Sequence, residues 1–205
     1  MRLIMKNSMW KRVVGLVLLM GTAVLLAACG AGTHEFAGSV LDSEQPVPDF
    51  TLQGVDGPVS LSDFKGQYVF VYFGYTFCPD ICPNTLGKLS RAIADLNADD
   101  AEQVTAILIS VDPERDTPEL LAEYVAHFNP RFVGLTGTKE EIDQAGEAYY
   151  LYYEKHEGTV ASGYLIDHSS RSFLVDKNGS ALVAYPFDAK AEDIAKDLKW
   201  LIRQD

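Results

Sequence analysis

Two cysteines that follow a continuous apolar run constrain the fold of this chain more than any other feature. The run from Tyr68 to Tyr72 is typical of a strand that is buried on both faces of a sheet. Cys78 and Cys82 lie between this run and a helical stretch that continues through Leu96. At the start of a helix, free N–H groups and the helix dipole stabilise thiolates. The position therefore predicts a reactive pair of cysteines.

The remaining sequence predicts an α/β domain around this motif. Residues 50–61 predict a hairpin around a Gly-Val-Asp-Gly turn, and strand and helix patterns alternate from Val104 onward. After a long insertion, the strand Ser172 to Val175 is followed by a Lys-Asn-Gly turn, a further strand and a closing helix. This order predicts a thioredoxin-like fold, in which helices flank a central mixed β-sheet. The additions are an N-terminal hairpin and the mid-chain insertion.

The first residues resemble a secretory signal. Four basic residues precede the uncharged apolar stretch Val13 to Ala28, which is shorter than the ~20 apolar residues that cross a bilayer. The sequence Leu26-Ala27-Ala28-Cys29 resembles a bacterial lipobox, which implies cleavage before Cys29 and a lipid on that cysteine. The alternative is an ordinary signal peptide with a bystander cysteine. We expect a signal peptide at 1–28, a lipidated tether at 29–46 and a thioredoxin-like domain at 47–205.

This organisation predicts a lipoprotein that is anchored to the cell membrane and faces the extracytoplasmic side. The formal charge is −12, and it becomes −16 when residues 1–28, with four basic and no acidic side chains, are removed. Such a charge argues against a nucleic-acid partner and against electrostatic adhesion to anionic lipid. An exported compartment permits oxidation. Cys78 and Cys82 therefore remain open to three interpretations, a disulfide, a dithiol or a metal site.

The spacing of the two cysteines favours a metal ion over a disulfide. Residues i and i+4 of a helix have Cβ atoms ~5–6 Å apart, whereas a disulfide requires ~3.5–4.5 Å. Adjustment of the first helical turn would still permit oxidation. Two soft sulfur ligands favour a soft ion, above all Cu(I).

Four histidines compete to provide a third ligand. His34 lies in the expected tether, His127 ends a predicted helix, and His156 stands among charged residues in a predicted loop. His168 lies in the predicted loop before Ser172, where thioredoxin-like chains commonly place a cis-proline opposite the cysteines. No proline stands there. An imidazole beside two thiolates would hold Cu(II) as well as Cu(I).

Four stretches of sequence, taken together, carry a family resemblance. In chain order they are Phe73 to Pro83, Ser110 to Pro118, Leu135 to Gly137 and Asp167 to Ser169. The combination resembles the Sco/SenC family of copper-binding assembly factors for the Cu-A centre of cytochrome c oxidase.

The resemblance implies that Cys78, Cys82 and His168 bind copper, as Cu(I) or Cu(II). It also implies delivery of copper to the oxidase subunit that carries Cu-A, or reduction of that subunit's cysteines. Another copper chaperone or a thiol reductase is a further expected partner. The expected class is a metallochaperone rather than an enzyme, with thiol–disulfide reduction left open. Transfer of copper to an acceptor needs a shallow, partly exposed site, which ligands on loops would provide.

Side chains near the ligands are expected to orient them. The candidates are Asp80, Asp167 and Tyr75, and the segment Asp112 to Pro118 is expected to brace the site rather than supply ligands.

Three other functions remain open from the sequence. A thiol–disulfide oxidoreductase would use the cysteine pair directly, but its usual motif has two intervening residues and a cis-proline opposite. A peroxiredoxin expects threonine three residues before its reactive cysteine, where Tyr75 stands here. A redox or copper sensor without a delivery role would need the same cysteine pair.

Overall fold

The computed structural model describes residues 34–41, 46–158 and 163–204. Cys29 and the expected signal peptide lie outside these ranges. The strands are β1 (Ser39–Val40), β2 (Thr51–Gly54), β3 (Gly57–Ser60), β4 (Tyr68–Gly74), β5 (Val104–Ser110), β6 (Val133–Leu135), β7 (Tyr153–Glu157), β8 (Tyr164–His168), β9 (Ser172–Val175) and β10 (Ala181–Tyr185). The helices are α1 (Ile81–Ala94), α2 (Ala98–Glu102), α3 (Pro118–Ala126), α4 (Lys139–Glu147) and α5 (Ala191–Ile202), and a 3-10 helix spans Leu61–Phe64.

The main sheet is mixed and has β4 near its centre. Its strand order is β1-β10-β9-β4-β5-β6 within the described residues, and β4 is parallel to β5 but antiparallel to β9. Every residue of β4 and β5 is buried, as their continuous apolar sequences predict. The sheet and its flanking helices confirm the predicted thioredoxin-like architecture.

Two helices begin with the caps that their sequences predict. The Thr117 side chain accepts a hydrogen bond from the Leu120 N–H at the start of α3. Thr138 and Glu141 form a capping box at the start of α4. Elsewhere α1 packs against α5. Among the described residues, no helix has both the length and the apolar content that a membrane span requires.

The two hairpins predicted at either end of the domain are both present. β2 and β3 form a separate two-stranded sheet, which the backbone of Gln53 joins to Thr136 through hydrogen bonds of 2.7 and 2.9 Å. β9 and β10 are antiparallel, and Gly179 in their turn has a φ of +94°. This backbone conformation favours glycine, so the turn residue agrees with the predicted tight turn.

The mid-chain insertion contains a hairpin that the sequence analysis missed. β7 and β8 are antiparallel, with Tyr153 opposite His168, and they form a sheet of their own. His156 lies within β7 and His168 is the last residue of β8, so the loop positions predicted for both histidines were wrong. Four of the five residues of β7 are exposed. β7 is therefore held in its strand conformation by pairing with β8 and not by burial of an apolar face.

Part of the expected tether packs onto the folded domain. Ser39 and Val40 pair with β10, and the Ala37 N–H donates to the buried Asp197 carboxylate at 3.0 Å. The Phe36 and Trp200 rings pack edge to face, with centroids 5.6 Å apart. The compact unit that contains the sheets begins at Phe36, before the predicted domain start at residue 47.

Candidate metal centre

The two cysteines lie where β4 passes through a short loop into α1. Cys78 belongs to the loop and is 9% exposed, whereas Cys82 lies in the first turn of α1 and is fully buried. The backbone N–H of Cys82 donates to the Cys78 sulfur at 3.4 Å. Backbone N–H groups in the first turn of a helix have no partner within that helix. The helix start therefore supplies a donor to the Cys78 sulfur, as the sequence predicts.

The imidazole of His168 lies against the cysteines from the end of β8. Its Nε2 is 3.3 Å from the Cys82 sulfur, and its Nδ1 is 3.0 Å from the Ser169 carbonyl oxygen. A carbonyl only accepts hydrogen bonds, so this contact assigns the proton to Nδ1 and leaves the Nε2 lone pair available. A histidine that binds a metal is commonly oriented by a contact of this kind. One ligand atom from each of Cys78, Cys82 and His168 lies within 4.8 Å of the others.

The two sulfurs have opposite shifts in pKa. A hydrogen bond from the Cys82 side chain and further hydrogen bonds from backbone N–H groups lower the pKa of Cys78 to about 3, against the opposing effect of burial. Burial raises the pKa of Cys82, and the negative charge on Cys78 raises it further. At neutral pH the pair therefore contains one thiolate and one thiol. A metal ion that binds both sulfurs as thiolates must displace the remaining proton.

Two tyrosines enclose the three side chains. The Tyr75 ring meets His168 edge to face at 5.8 Å, in agreement with its predicted place near the ligands. Tyr72 was missed: its hydroxyl donates to the Cys82 sulfur at 3.7 Å, and its ring lies 6.1 Å from His168. The sequence could have indicated this contact, because the hydroxyl of a tyrosine in a fully buried strand usually needs a hydrogen-bond partner.

The close packing beneath Cys82 also explains one glycine. A Cβ atom at Gly74 would lie 2.7 Å from the Cys82 sulfur and 3.1 Å from the Tyr72 ring. Only glycine leaves room for the buried sulfur at the end of β4.

The predicted contacts of Asp80 and Asp167 with the ligands require correction. The Asp80 carboxylate accepts a hydrogen bond from the Asn84 side chain at 2.6 Å on the surface, and only its backbone supports Cys78. The Asp167 side chain is 76% exposed and lies 3.2 Å from His156 Nε2. Neighbouring residues of a strand point to opposite faces. Since His168 faces the cysteines, Asp167 faces away from them.

The site is also deeper than predicted. Cys82 has no exposed surface, and Cys78 has little. Because His168 is half-buried, an incoming group can reach the centre only from the side of Cys78 and His168. The expectation of a shallow site with loop-borne ligands was therefore wrong for Cys82 and for His168.

The segment after β5 braces the cysteine loop, as predicted. The buried Asp116 carboxylate accepts hydrogen bonds from the Thr76 N–H at 3.1 Å, the Thr76 hydroxyl at 2.5 Å and the Ser110 hydroxyl at 2.6 Å. Burial raises the pKa of Asp116, although these three donors oppose the shift. The loop that carries Cys78 is thereby tied to the end of β5.

Two other histidines in the described ranges, His127 and His156, have different partners. His127 Nδ1 lies 2.7 Å from the Glu123 carbonyl at the end of α3, and His156 pairs with Asp167. Among the residues that the structure describes, Cys78, Cys82 and His168 are the one group of three His, Cys, Asp or Glu side chains with the spacing of metal ligands.

The donor set suits copper better than structural zinc. Structural zinc sites almost always have four protein ligands, and here three donors converge. Thiolates select Cu(I), and an added imidazole suits Cu(II). The residues present therefore fit a copper ion in either oxidation state.

The fold and the site together define a thioredoxin-like domain whose cysteine pair shares its pocket with a histidine. No cis peptide bond occurs in the described ranges, so the histidine is not accompanied by a cis-proline. The family model described as SCO1/SenC matches residues 40–203. The chain therefore belongs to the SCO1/SenC family, which confirms the resemblance found in the sequence.

Individual relatives cover most of the chain. The SCO2-like protein of Rickettsia felis is 35% identical over 202 residues, which span 95% of this chain and 98% of the relative. The solution structure of apo Sco1 from Thermus thermophilus matches with a TM-score of 0.74 and 40% identity, over 84% of this chain and 99% of that one. The crystal structure of Arabidopsis thaliana ScoI with copper bound matches with a TM-score of 0.71 and 36% identity, over 77% of this chain and 98% of that one.

Proposed function

We propose that this protein binds one copper ion through Cys78, Cys82 and His168 and delivers it to the Cu-A subunit of cytochrome c oxidase. The observation that carries this proposal is the 3.3 Å approach of His168 Nε2 to the Cys82 sulfur. Copper is bound in the similar ScoI of Arabidopsis thaliana. BsSco, another similar protein, is described as a member of the Sco family of cytochrome c oxidase assembly proteins.

The burial of the three ligands supports an order for copper release. Cys82 is fully buried, whereas Cys78 and His168 border the accessible side of the centre. A thiolate or imidazole of the acceptor would first replace His168 or Cys78 on the copper ion. The contact with Cys82 would break last, so copper would stay bound to a sulfur until the acceptor held it.

Thiol–disulfide exchange with the acceptor is a second candidate activity. The observation that favours it is the pKa of Cys78, which is lowered to about 3 and keeps this sulfur as a nucleophilic thiolate at neutral pH. In this reaction Cys78 would attack an acceptor disulfide, and Cys82 would then release the reduced acceptor. One disulfide would form here as one is reduced in the acceptor, with a transfer of two electrons; Cys82 would supply one proton and water the other.

Titration of the reduced protein with copper, followed by incubation with a soluble Cu-A domain, tests both activities. We expect one copper per chain with sulfur-to-copper absorption for Cu(II), and then copper on the acceptor. A metal-free sample mixed with the oxidised acceptor reports reduction through the number of new acceptor thiols. Copper that never leaves this protein for an acceptor with reduced thiols would contradict delivery. A chain that binds no copper would contradict the whole proposal.

We also propose that a lipid on Cys29 anchors the protein on the extracytoplasmic side of the membrane. The support is the sequence Leu26-Ala27-Ala28-Cys29 after an apolar stretch. Several acyl groups would hold the chain firmly, since each buried CH₂ contributes ~0.8 kcal/mol. We expect Cys29→Ser, expressed in a bacterial host, to abolish the lipid modification detected by mass spectrometry of the purified protein. An unmodified Cys29 in the membrane-bound wild type would contradict the anchor.

A further inference from the structure

The hairpin that carries His168 is attached to the rest of the domain by side chains from several other elements. β7 and β8 form their own sheet and, within the described ranges, share no ladder with the six-stranded sheet. The Ile166 N–H donates to the Tyr75 hydroxyl at 3.1 Å, and the Tyr164 carbonyl accepts from Arg115 Nη1 at 3.1 Å. The position of His168 over the cysteines therefore depends on side chains outside the hairpin.

Arg115 contacts both segments that carry the proposed ligands. Its guanidinium carbon lies 3.6 Å from the centroid of the Tyr164 ring, which belongs to β8. The same carbon lies 4.7 Å from the Phe77 centroid and 5.7 Å from the Tyr75 centroid, both in the cysteine loop. Cation–ring contacts become stronger when they are shielded from water, and the Arg115 side chain is only 17% exposed.

A buried carboxylate fixes the other side of this arrangement. Asp112 is 2% exposed; one of its oxygens accepts from Arg115 Nε, and the other accepts from the Tyr164 hydroxyl at 2.6 Å. The backbone N–H of Asp112 donates to the Ser110 hydroxyl at 2.9 Å, at the end of β5. Asp112, Arg115 and Tyr164 thus form a closed triangle between the main sheet and the hairpin, which we call the Arg115 clamp.

The exposed ion pair beside the clamp is a weaker attachment. Lys155 Nζ lies 2.7 Å from a Glu114 oxygen, but the two side chains are 47% and 69% exposed. Water and salt screen exposed pairs of this kind, so they contribute little to stability. The buried clamp is therefore a stronger attachment of the hairpin than this pair.

We propose that Arg115 is a positioning residue that holds the β7–β8 hairpin over the cysteines and so keeps His168 Nε2 within reach of a metal. Tyr164 and His168 are on the same face of β8, because residues i and i+4 of a strand point the same way. A displacement of Tyr164 therefore moves His168 as well. This inference rests on the proposed function, since the placement of His168 affects copper only if His168 binds it.

The chemistry of arginine explains why lysine should not replace it. A guanidinium donates from Nε and Nη1 in fixed directions while its flat face stacks on a ring. Here these three contacts reach Asp112, the Tyr164 carbonyl and the Tyr164 ring. A lysine would retain the positive charge but could not make all three contacts.

The test compares Arg115→Met, Arg115→Lys and the milder Tyr164→Phe with the control Arg131→Met. Arg131 is exposed and donates to the Ala101 carbonyl, outside the metal centre.

If His168 remains in place for only about a tenth of the time, the apparent Cu(II) affinity falls about tenfold. We expect that loss for both Arg115 variants and a smaller one for Tyr164→Phe. Cu(I) affinity should change by less than about threefold, because both thiolates remain. Pulsed EPR should show weaker coupling from imidazole nitrogen.

Amide hydrogen exchange of the metal-free proteins provides a second readout. Arg115→Met should accelerate exchange in β8 and leave β4 and β5 unchanged, since local opening is limited by the contacts of each segment. Equal acceleration in β4, or an equal loss of Cu(I) and Cu(II) affinity, would assign Arg115 to general stability and reject the inference. Full rescue by Arg115→Lys would reject it in favour of a role for charge alone.

The experiment separates failure of this inference from failure of the proposed function. Wild-type protein without imidazole coupling in its Cu(II) spectrum would reject His168 as a ligand and, with it, the positioning role. Wild-type coupling that persists unchanged in Arg115→Met would reject only the role of Arg115.

Discussion

Replacement of Cys82 by serine is expected to lower the affinity for Cu(I) by more than about a hundredfold. Loss of a residue that only hydrogen-bonds to a metal ligand already lowers metal affinity about 10–100-fold, and here a ligand itself is lost. The Cys82 sulfur is the most enclosed donor, with His168 Nε2 at 3.3 Å and the Tyr72 hydroxyl at 3.7 Å. A serine hydroxyl has nearly the same position but is a hard oxygen that does not ionise at neutral pH. It therefore cannot replace a soft thiolate.

Competition with a Cu(I) chelator measures this loss, and urea unfolding shows whether each variant keeps its fold. Cys78→Ser is the matched comparison, since Cys78 lies at the edge of the site and is 9% exposed. We expect it to lose Cu(I) affinity as well. Cys82→Ala should behave like Cys82→Ser, which separates the lost sulfur from an effect of the new hydroxyl. Wild-type affinity in a folded Cys82 variant would show that copper is bound elsewhere.

The second large effect is expected from His168→Ala, which should weaken Cu(II) by more than about a hundredfold and Cu(I) by less than about tenfold. Two thiolates satisfy most of the preference of Cu(I), whereas Cu(II) depends on the imidazole nitrogen. His168 Nε2 is available for this role because Nδ1 donates to the Ser169 carbonyl.

His156→Ala is the matched control for this prediction. His156 is on the same hairpin, but it is 46% exposed and pairs with Asp167 rather than with the cysteines. Its replacement should leave both affinities and the Cu(II) EPR spectrum unchanged. Unchanged Cu(II) binding in His168→Ala would disprove the three-ligand centre, and a large loss in His156→Ala would place copper on the outer face of the hairpin.

Local sequence was sufficient to predict the cysteine half of the site. The buried strand before Cys78 and the helix that contains Cys82 are both determined by residues close in sequence, so apolar patterning reveals them. The helix caps at Thr117 and Thr138 were predictable for the same reason. His168 was singled out because no proline stands in the segment before Ser172, and the resemblance to the Sco/SenC family then implied that it binds copper.

Features that depend on distant pairing were not accessible in the same way. β7 was predicted to be a loop because its residues are mostly polar and exposed and so show no strand pattern. Its strand conformation depends on pairing with β8, which follows after an intervening segment. The wrong position of Asp167 follows from that error, since strand alternation turns it away from His168. β1 was missed because Ser39 and Val40 show no strand pattern and obtain their order from β10.

The division of the proposed ligands between two sheets has a consequence for protein engineering. The thiolate pair is built on β4 and α1, while the imidazole is carried by a hairpin with a sheet of its own. A designer can therefore replace the hairpin, or shift its strand pairing, so that it presents a carboxylate, a thioether or no ligand at all. The strand and helix that carry the two cysteines need not be changed. The metal selectivity of this domain can then be adjusted by changing the third donor while both sulfur donors are kept.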